Sequence, residues 1–233
     1  MNNIEDLKKI ETIISVKFTN YELLQQVFIH RSYLNEHKDS GLNHNERLEF
    51  LGDAVLELVV TEYLYKNFKE PEGVLTNWRS ALVRGVSLSE LAEKINIDKY
   101  MLLSKGESKS TGKGRRLILA NAIEALIGAI YLDQGYEVAS KFINNFLIIK
   151  LEEIIKNQSY IDSKSKFQEL AQEKYAITPH YELISESGPD HDKHFVVGVY
   201  ILERKLGEGS GSSKQSAEQD AAKNALSGID QLQ

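Results

Sequence analysis

From Ile4 to about Lys156 apolar residues recur every third or fourth position, as in Leu23, Leu24, Val27 and Phe28 or Leu82, Val83, Val86, Leu88 and Leu91. That is the period of helices buried along one face. Interruptions at Lys38–Leu42, at Glu70–Gly73 and along the polar, glycine-bearing Ser104–Arg116 divide the stretch into eight or nine helices. A polar segment at Lys156–Ser159 follows, and beyond it the period changes. Lys164–Tyr175 is amphipathic, with Phe167, Leu170, Ala171 and Tyr175 inward, whereas Tyr181–Ser185 and Phe195–Ile201 alternate and are rich in β-branched and aromatic residues. Gly188-Pro189-Asp190 supplies the turn between them. A third short strand fits around Lys205, Gly207–Ser213 reads as a glycine and serine loop, and Gln215–Leu226 as a last helix facing inward through Ala217, Ala221, Ala222, Ala225 and Leu226. The pattern predicts an all-α domain over residues 1–156, a linker at 157–161, and a small α+β domain of order α-β-β-β-α over 162–231.

A chain of 233 residues with 42% hydrophobic residues is long enough for two such cores. It contains no cysteine, which excludes disulfides, thiolate metal sites and cysteine nucleophiles. Met1–Glu11 carries charges throughout and lacks the apolar centre of a signal peptide. The longest nearly apolar run, Leu117–Leu132, is interrupted by Asn121 and Glu124 and is short for a bilayer span, so no membrane partner is expected and the expected location is the cytoplasm. Net charge is −6, and residues 161–233 hold 8 Lys and Arg against 12 Asp and Glu, so neither domain is basic overall. Binding to a polyanion would depend on local placement of cations.

Within Asn45-Glu46-Arg47-Leu48-Glu49-Phe50-Leu51-Gly52-Asp53, three carboxylates stand three and four residues apart. On a helix Glu46, Glu49 and Asp53 share one narrow arc, where like charges repel and apolar neighbours add a desolvation cost. Leu117–Leu132 reads as a second helix, apolar nearly all round, that holds Asn121 and Glu124 one turn apart. Facing each other, the carboxylates of the two helices would need a cation between them, and all-oxygen donors suit Mg²⁺. Such sites handle phosphates, so phosphodiester hydrolysis by activated water is the natural reaction. The bland alternative is a solvated acidic helix face and an ordinary hydrogen-bonded Glu124.

These residues also resemble a family. Asn45–Asp53, NERLEFLGD, matches the signature of ribonuclease III at every position, and Ala125–Asp133, ALIGAIYLD, is similar to its second segment. His30-Arg31-Ser32-Tyr33, Leu75-Thr76-x-x-Arg79-x-x-Leu82-Val83 and Lys105-Gly106-Glu107 look like that family too. The resemblance implies a helical catalytic bundle in which Glu49, Asp53, Asn121 and Glu124 hold Mg²⁺, with Mn²⁺ as a substitute. Asp53 and Glu124 would be catalytic and Glu46 would orient waters or ligands beside them. The family usually has aspartate at Asn121, so one ligand charge is missing here. The resemblance further implies a homodimer in which Phe50 inserts into the partner, with Glu72 reaching toward a composite cleft.

The α-β-β-β-α order is similar to the double-stranded RNA-binding domain. That likeness implies duplex contacts through Gln168, Glu169 and Gln172 on the first helix, His191 in the first turn, and Ser213 and Lys214 at the start of the last helix. Fewer cations stand at that last helix than the family usually has, which points to weaker binding and a shallower salt dependence. The expected activity is Mg²⁺-dependent endonucleolytic cleavage of double-stranded RNA to 5′-phosphate and 3′-hydroxyl ends, with ribosomal RNA precursors and some messages as substrates. The alternative is a double-stranded RNA-binding protein that does not cut because Asn121 disables the metal site. Gly106–Lys113 lacks the spacing and the preceding strand of a nucleotide-binding loop, so no nucleotide cofactor is expected; Lys109, Lys113, Arg115 and Arg116 read instead as a basic loop. His30 reads as a hydrogen-bonded structural histidine and Trp78 as core or interface.

Overall fold

The computed structural model describes residues 4–156, 162–189 and 193–228. The expected linker, His191 and the end of the second domain at 229–231 lie outside the described residues. Contacts divide the chain into two compact units, residues 1–160 and 161–233.

The described part of the first unit carries nine α-helices: α1 (Ile4–Ile14), α2 (Tyr21–Val27), α3 (Arg31–Glu36), α4 (Glu46–Asn67), α5 (Glu72–Val83), α6 (Gly85–Lys94), α7 (Gly112–Gln134), α8 (Tyr136–Phe146) and α9 (Leu151–Lys156). The two longest, α4 and α7, make the most extensive contact in the molecule. Their shared core includes Val55, Leu56, Val59, Ile123, Leu126, Ile127 and Ile130, all buried. Two helical glycines set how close these helices come. A Cβ on Gly52 would lie 1.7 Å from the backbone oxygen of Glu124, and one on Gly128 would lie 2.2 Å from that of Leu48. Glycine usually weakens a helix interior, but here its missing side chain permits backbone contact.

α7 is longer than the hydrophobic run suggests, because Gly112–Arg116, read as part of a loop, forms its first turns. Lys113 and Arg116 are exposed, whereas Arg115 is half-buried and ion-paired to Asp98. At 23 residues the helix is long and apolar enough to cross a membrane, yet Ile118–Ala120 and most of its later residues are buried in protein. Its end is fixed from outside. Asp133 accepts from the backbone N–H groups of Thr19 (2.8 Å) and Asn20 (2.7 Å), and Gln134 Nε2 donates to Thr19 Oγ1 (3.1 Å). Burial pushes the Asp133 carboxyl upward, but the hydrogen bonds from Gln134, Thr19 and Asn20 leave it below its ordinary range. Likewise α5 starts at Glu72, directly after Pro71, so the expected break at Glu70–Gly73 ends two residues sooner.

The second unit contains α10 (Ser163–Tyr175), an antiparallel sheet ordered β1-β2-β3, and α11 (Lys214–Gly228). The strands are β1 (His180–Ser187), β2 (His194–Ile201) and β3 (Arg204–Gly211). Phe167, Ala171, Val199, Ile201, Ala221, Ala222 and Ala225 form the core, while Tyr175 lies at the exposed margin. One expectation is corrected: Gly207–Gly211 belongs to β3, not to a loop. The cause is again close approach. Cβ atoms on Gly207, Gly209 and Gly211 would lie 2.5 Å from Ala221 O, 2.0 Å from Ala221 N and 2.1 Å from Ser216 Oγ, so the alanine face of α11 rests on the strand backbone.

Candidate active site and nucleic-acid interface

The α4–α7 seam brings together the acids that the sequence places on two helices. Glu49 and Asp53 stand on α4, and Asn121 and Glu124 on α7, beside the Gly52 contact. The Asn121 side chain hydrogen-bonds the Glu49 carboxylate, stabilising its charged form. This opposes burial, Glu46 and Asp53, which together leave the Glu49 carboxyl above its ordinary range. Glu124 is pushed up to about 7, first by burial and then by the charges of Asp53 and Glu49. No group of three His, Cys, Asp or Glu side chains among the described residues is arranged to hold an ion as it stands. The donor chemistry nevertheless fits a hard divalent cation: three carboxylates and an amide, two of the carboxyls held above their ordinary range by burial and mutual repulsion.

Glu46 occupies the same arc but has other partners, Arg31 at 3.2 Å and His44 at 3.7 Å. Asn45, only 2% exposed, does not cap α4. Its backbone N–H donates to Ile29 O (2.9 Å) and its Nδ2 to Val27 O (3.0 Å), which ties the start of the acidic helix to the segment before α3. Glu72 is exposed in the first turn of α5 and lines a cavity with Tyr65, Glu70 and Arg79, apart from the four clustered residues in sequence. Arg79 pairs with Glu57 at 3.0 Å and donates to Thr61 Oγ1 at 2.9 Å, joining α5 to α4. Phe50 is 82% exposed on the outer side of α4, where Tyr65 and Leu58 are exposed as well. Next to it, Leu23, Leu48, Leu51 and Leu132 line a groove.

On the second unit Gln168, Glu169 and Gln172 are exposed along one face of α10 and line a shallow depression with Ser165 and Glu173. Ser213 Oγ accepts from the Ser216 backbone N–H at 3.1 Å, at the start of α11, and Lys214 is exposed beside it. His191 falls outside the described residues. The expected basic loop is divided: Lys109 is in a short 3-10 turn, whereas Lys113, Arg115 and Arg116 belong to α7. His30 is structural in the sense expected, since its ring accepts from the Ser32 N–H at the start of α3.

The sequence reading overlooked Gly52 and Gly128. Their signal was present: a glycine inside each of the two helices that bear the acids, where helix propensity disfavours it.

Residues 20–151 match the model of a ribonuclease-III-like family, and residues 163–229 that of a double-stranded RNA binding motif. The chain is 44% identical over 225 residues to Ribonuclease 3 of Oceanobacillus iheyensis, covering 96% of this chain and 98% of that one. It is 47% identical over 223 residues to Ribonuclease 3 of Carboxydothermus hydrogenoformans, covering 95% of each. A solved nuclease domain of ribonuclease III from Campylobacter jejuni, noted for flexibility in its region of dimer formation, superposes with a TM-score of 0.54. It is 39% identical and covers 63% of this chain and 96% of that one.

Proposed function

Because the chain belongs to the ribonuclease III family and has that family's double-strand-specific endoribonuclease activity, we propose that its cutting site is the α4–α7 acidic seam. Glu49, Asp53, Asn121 and Glu124 hold Mg²⁺ there, with Mn²⁺ as a substitute. The bound ion supplies Lewis-acid polarisation of a phosphoryl oxygen and of the attacking water. Asp53 or Glu124 would accept the water's proton at a carboxylate oxygen. Asn121 donates to Glu49 and so stabilises its ionised form, which leaves the amide oxygen available to the cation. Glu46, held by Arg31, orients groups at the edge of the seam.

Two copies of the chain act together, Phe50 of each entering the groove beside α4 of the other, and Glu72 completes a composite cleft. The exposure of Phe50 at a groove lined in part by Leu23, Leu48, Leu51 and Leu132 supports this arrangement. In the second unit Gln168, Glu169, Gln172, His191, Ser213 and Lys214 read the A-form duplex by shape. The substrates are ribosomal RNA precursors and structured messages in the cytoplasm, cut to 5′-phosphate and 3′-hydroxyl ends.

The observation that carries the site assignment is the convergence of Glu49, Asp53 and Glu124 on one seam, with Glu124 raised to about 7. The test is cleavage of an end-labelled RNA duplex with Mg²⁺ and then Mn²⁺. Wild type is expected to cut, and Glu124→Ala to bind the duplex with nearly unchanged affinity without cutting. Wild-type cutting by Glu124→Ala would refute the site, and duplex binding without cutting by the wild type would favour a non-cleaving protein disabled at Asn121.

A further inference from the structure

The segment from Val27 to Ser32 touches both the start of α4 and the loop that runs on from Leu102. On one side it holds Asn45 through the oxygens of Val27 and Ile29, fixing the start of α4. On the other it pairs with the strand-like Leu102: Leu102 N–H donates to Phe28 O (2.8 Å) and His30 N–H to Leu102 O (3.1 Å). Two residues later the backbone N–H of Ser104 donates to Ser32 Oγ (3.0 Å), and the N–H of Lys105 meets the Glu36 carboxylate at 3.2 and 3.3 Å. The Ser104 hydroxyl in turn accepts from the N–H of Glu107 (3.1 Å). The turn Lys105–Lys109, which carries two lysines and leads toward the basic start of α7, is thus anchored by α3.

The hydrogen positions in this network follow from its donors. His30 Nδ1 accepts from the Ser32 backbone N–H (3.3 Å) and so carries no proton. Ser32 Oγ stands 2.8 Å from the same nitrogen. Its hydroxyl hydrogen therefore points to Nδ1, which leaves its lone pairs for Ser104 N–H. We propose that His30 is a positioning residue for duplex cleavage: its neutral ring, accepting at Nδ1, locks Ser32 so that Ser32 holds Ser104 and keeps the Lys105–Lys109 turn, with its two lysines, in register with the acidic helix. This rests on the reading of the α4–α7 seam as the cutting site.

Protonating His30 turns Nδ1 into a donor, which cannot accept from Ser32 and withdraws the acceptor that orients the hydroxyl. Burial is the main cause that keeps the ring neutral, lowering it from its ordinary 6.5. Arg31 and His44 act in the same direction, and Glu107 and Glu46 oppose them. Once protonated, His30 would be attracted by one acid in the Lys105–Lys109 turn and by one on α4.

The experiment compares wild type, Ser32→Ala, His30→Ala and His30→Asn in the full chain. Asparagine presents an acceptor near the Nδ1 position and does not titrate. Losing one or two hydrogen bonds is expected to raise KM for duplex RNA roughly 3- to 30-fold in both alanine variants, with the effect on KM and not on kcat. Exchange of the Ser104 amide hydrogen should accelerate in the same two proteins. His30→Asn should restore both readouts at neutral pH and abolish the rise in KM expected of wild type on acidification, as the ring, held below its ordinary range by burial, takes up a proton. A His30→Asn protein as impaired as His30→Ala, or a Ser104 exchange rate indifferent to His30→Ala, would overturn the clamp. Wild-type cutting by Glu124→Ala would overturn the cutting-site reading alone, because Ser104 exchange does not depend on it.

Discussion

Where α4 crosses α7, Gly52 and Gly128 let two long helices touch backbone to backbone; where α11 lies on β3, Gly207, Gly209 and Gly211 do the same for a helix and a strand. The surroundings differ. The first contact carries Glu49, Asp53, Asn121 and Glu124 along its edge, so closeness there concentrates like charge and raises Glu49 and Glu124 above their ordinary ranges. The second is lined by Ala217, Ala221 and Ala225, so closeness there compacts a core that has few large side chains. Loss of a Cβ serves chemistry in one place and economy of folding in the other.

The strongest way to break the comparison is Gly52→Ala. Its Cβ would meet the Glu124 carbonyl, a backbone atom that cannot swing aside, so the helices must separate. The expected cost is about 3 kcal/mol or more, from overpacking that outweighs the better helix propensity of alanine, together with loss of cleavage. Chemical denaturation and a duplex-cutting assay read the two effects.

Gly209→Ala should damage only the second unit. A Cβ placed 2.0 Å from Ala221 N is expected to cost about 1–3 kcal/mol, a large share of what so small a core supplies. A helical melting transition close to that of wild type, with duplex affinity lost, is the expected calorimetric and gel-shift result.

Charge at the first seam is isolated by Glu124→Gln. Because the folded Glu124 carboxyl is raised from 4.5 to about 7, the folded protein binds more protons than the unfolded chain between those values. Its contribution therefore destabilises the metal-free fold progressively as pH rises from 4.5 to about 7 and levels off above. Glu124→Gln should melt higher than wild type at pH 8 without divalent ions, and the difference should vanish near pH 4. A difference that is constant with pH would remove the electrostatic account of the seam.

The smallest expected effect is that of Asn121→Asp, which exchanges a hydrogen-bond donor to Glu49 for another negative charge. Without metal it should destabilise the protein by about 1 kcal/mol at neutral pH. With metal it should lower the Mg²⁺ concentration needed for half-maximal cutting, read by titration.

Much of this was legible in the sequence because it rests on period. The change from helical to alternating spacing near residue 160 marks the second unit, and the spacings of Glu46, Glu49 and Asp53 and of Asn121 and Glu124 place each set on one helix face. What period does not carry is distance between elements. Glycine has no side chain to contribute to a pattern, so Gly207–Gly211 read as a loop by composition although its backbone pairs with β2. Gly52 and Gly128 passed unnoticed for the same reason. Arg115 and Asp133, which fasten the two ends of α7, act through partners at Asp98 and at Thr19 and Asn20, and no local window contains both members of such a tie.

The glycine contact between α4 and α7 also makes the chain count its own residues. Gly52 lies three positions after Glu49 and one before Asp53, and Gly128 lies four after Glu124. Each residue added or removed between a glycine and its acids would rotate those acids about 100° around the helix axis while the glycines hold the axes where they are. Substitutions at the exposed faces of these helices leave that count intact, whereas a single insertion or deletion inside either window would keep every functional residue in the sequence and turn it out of the site.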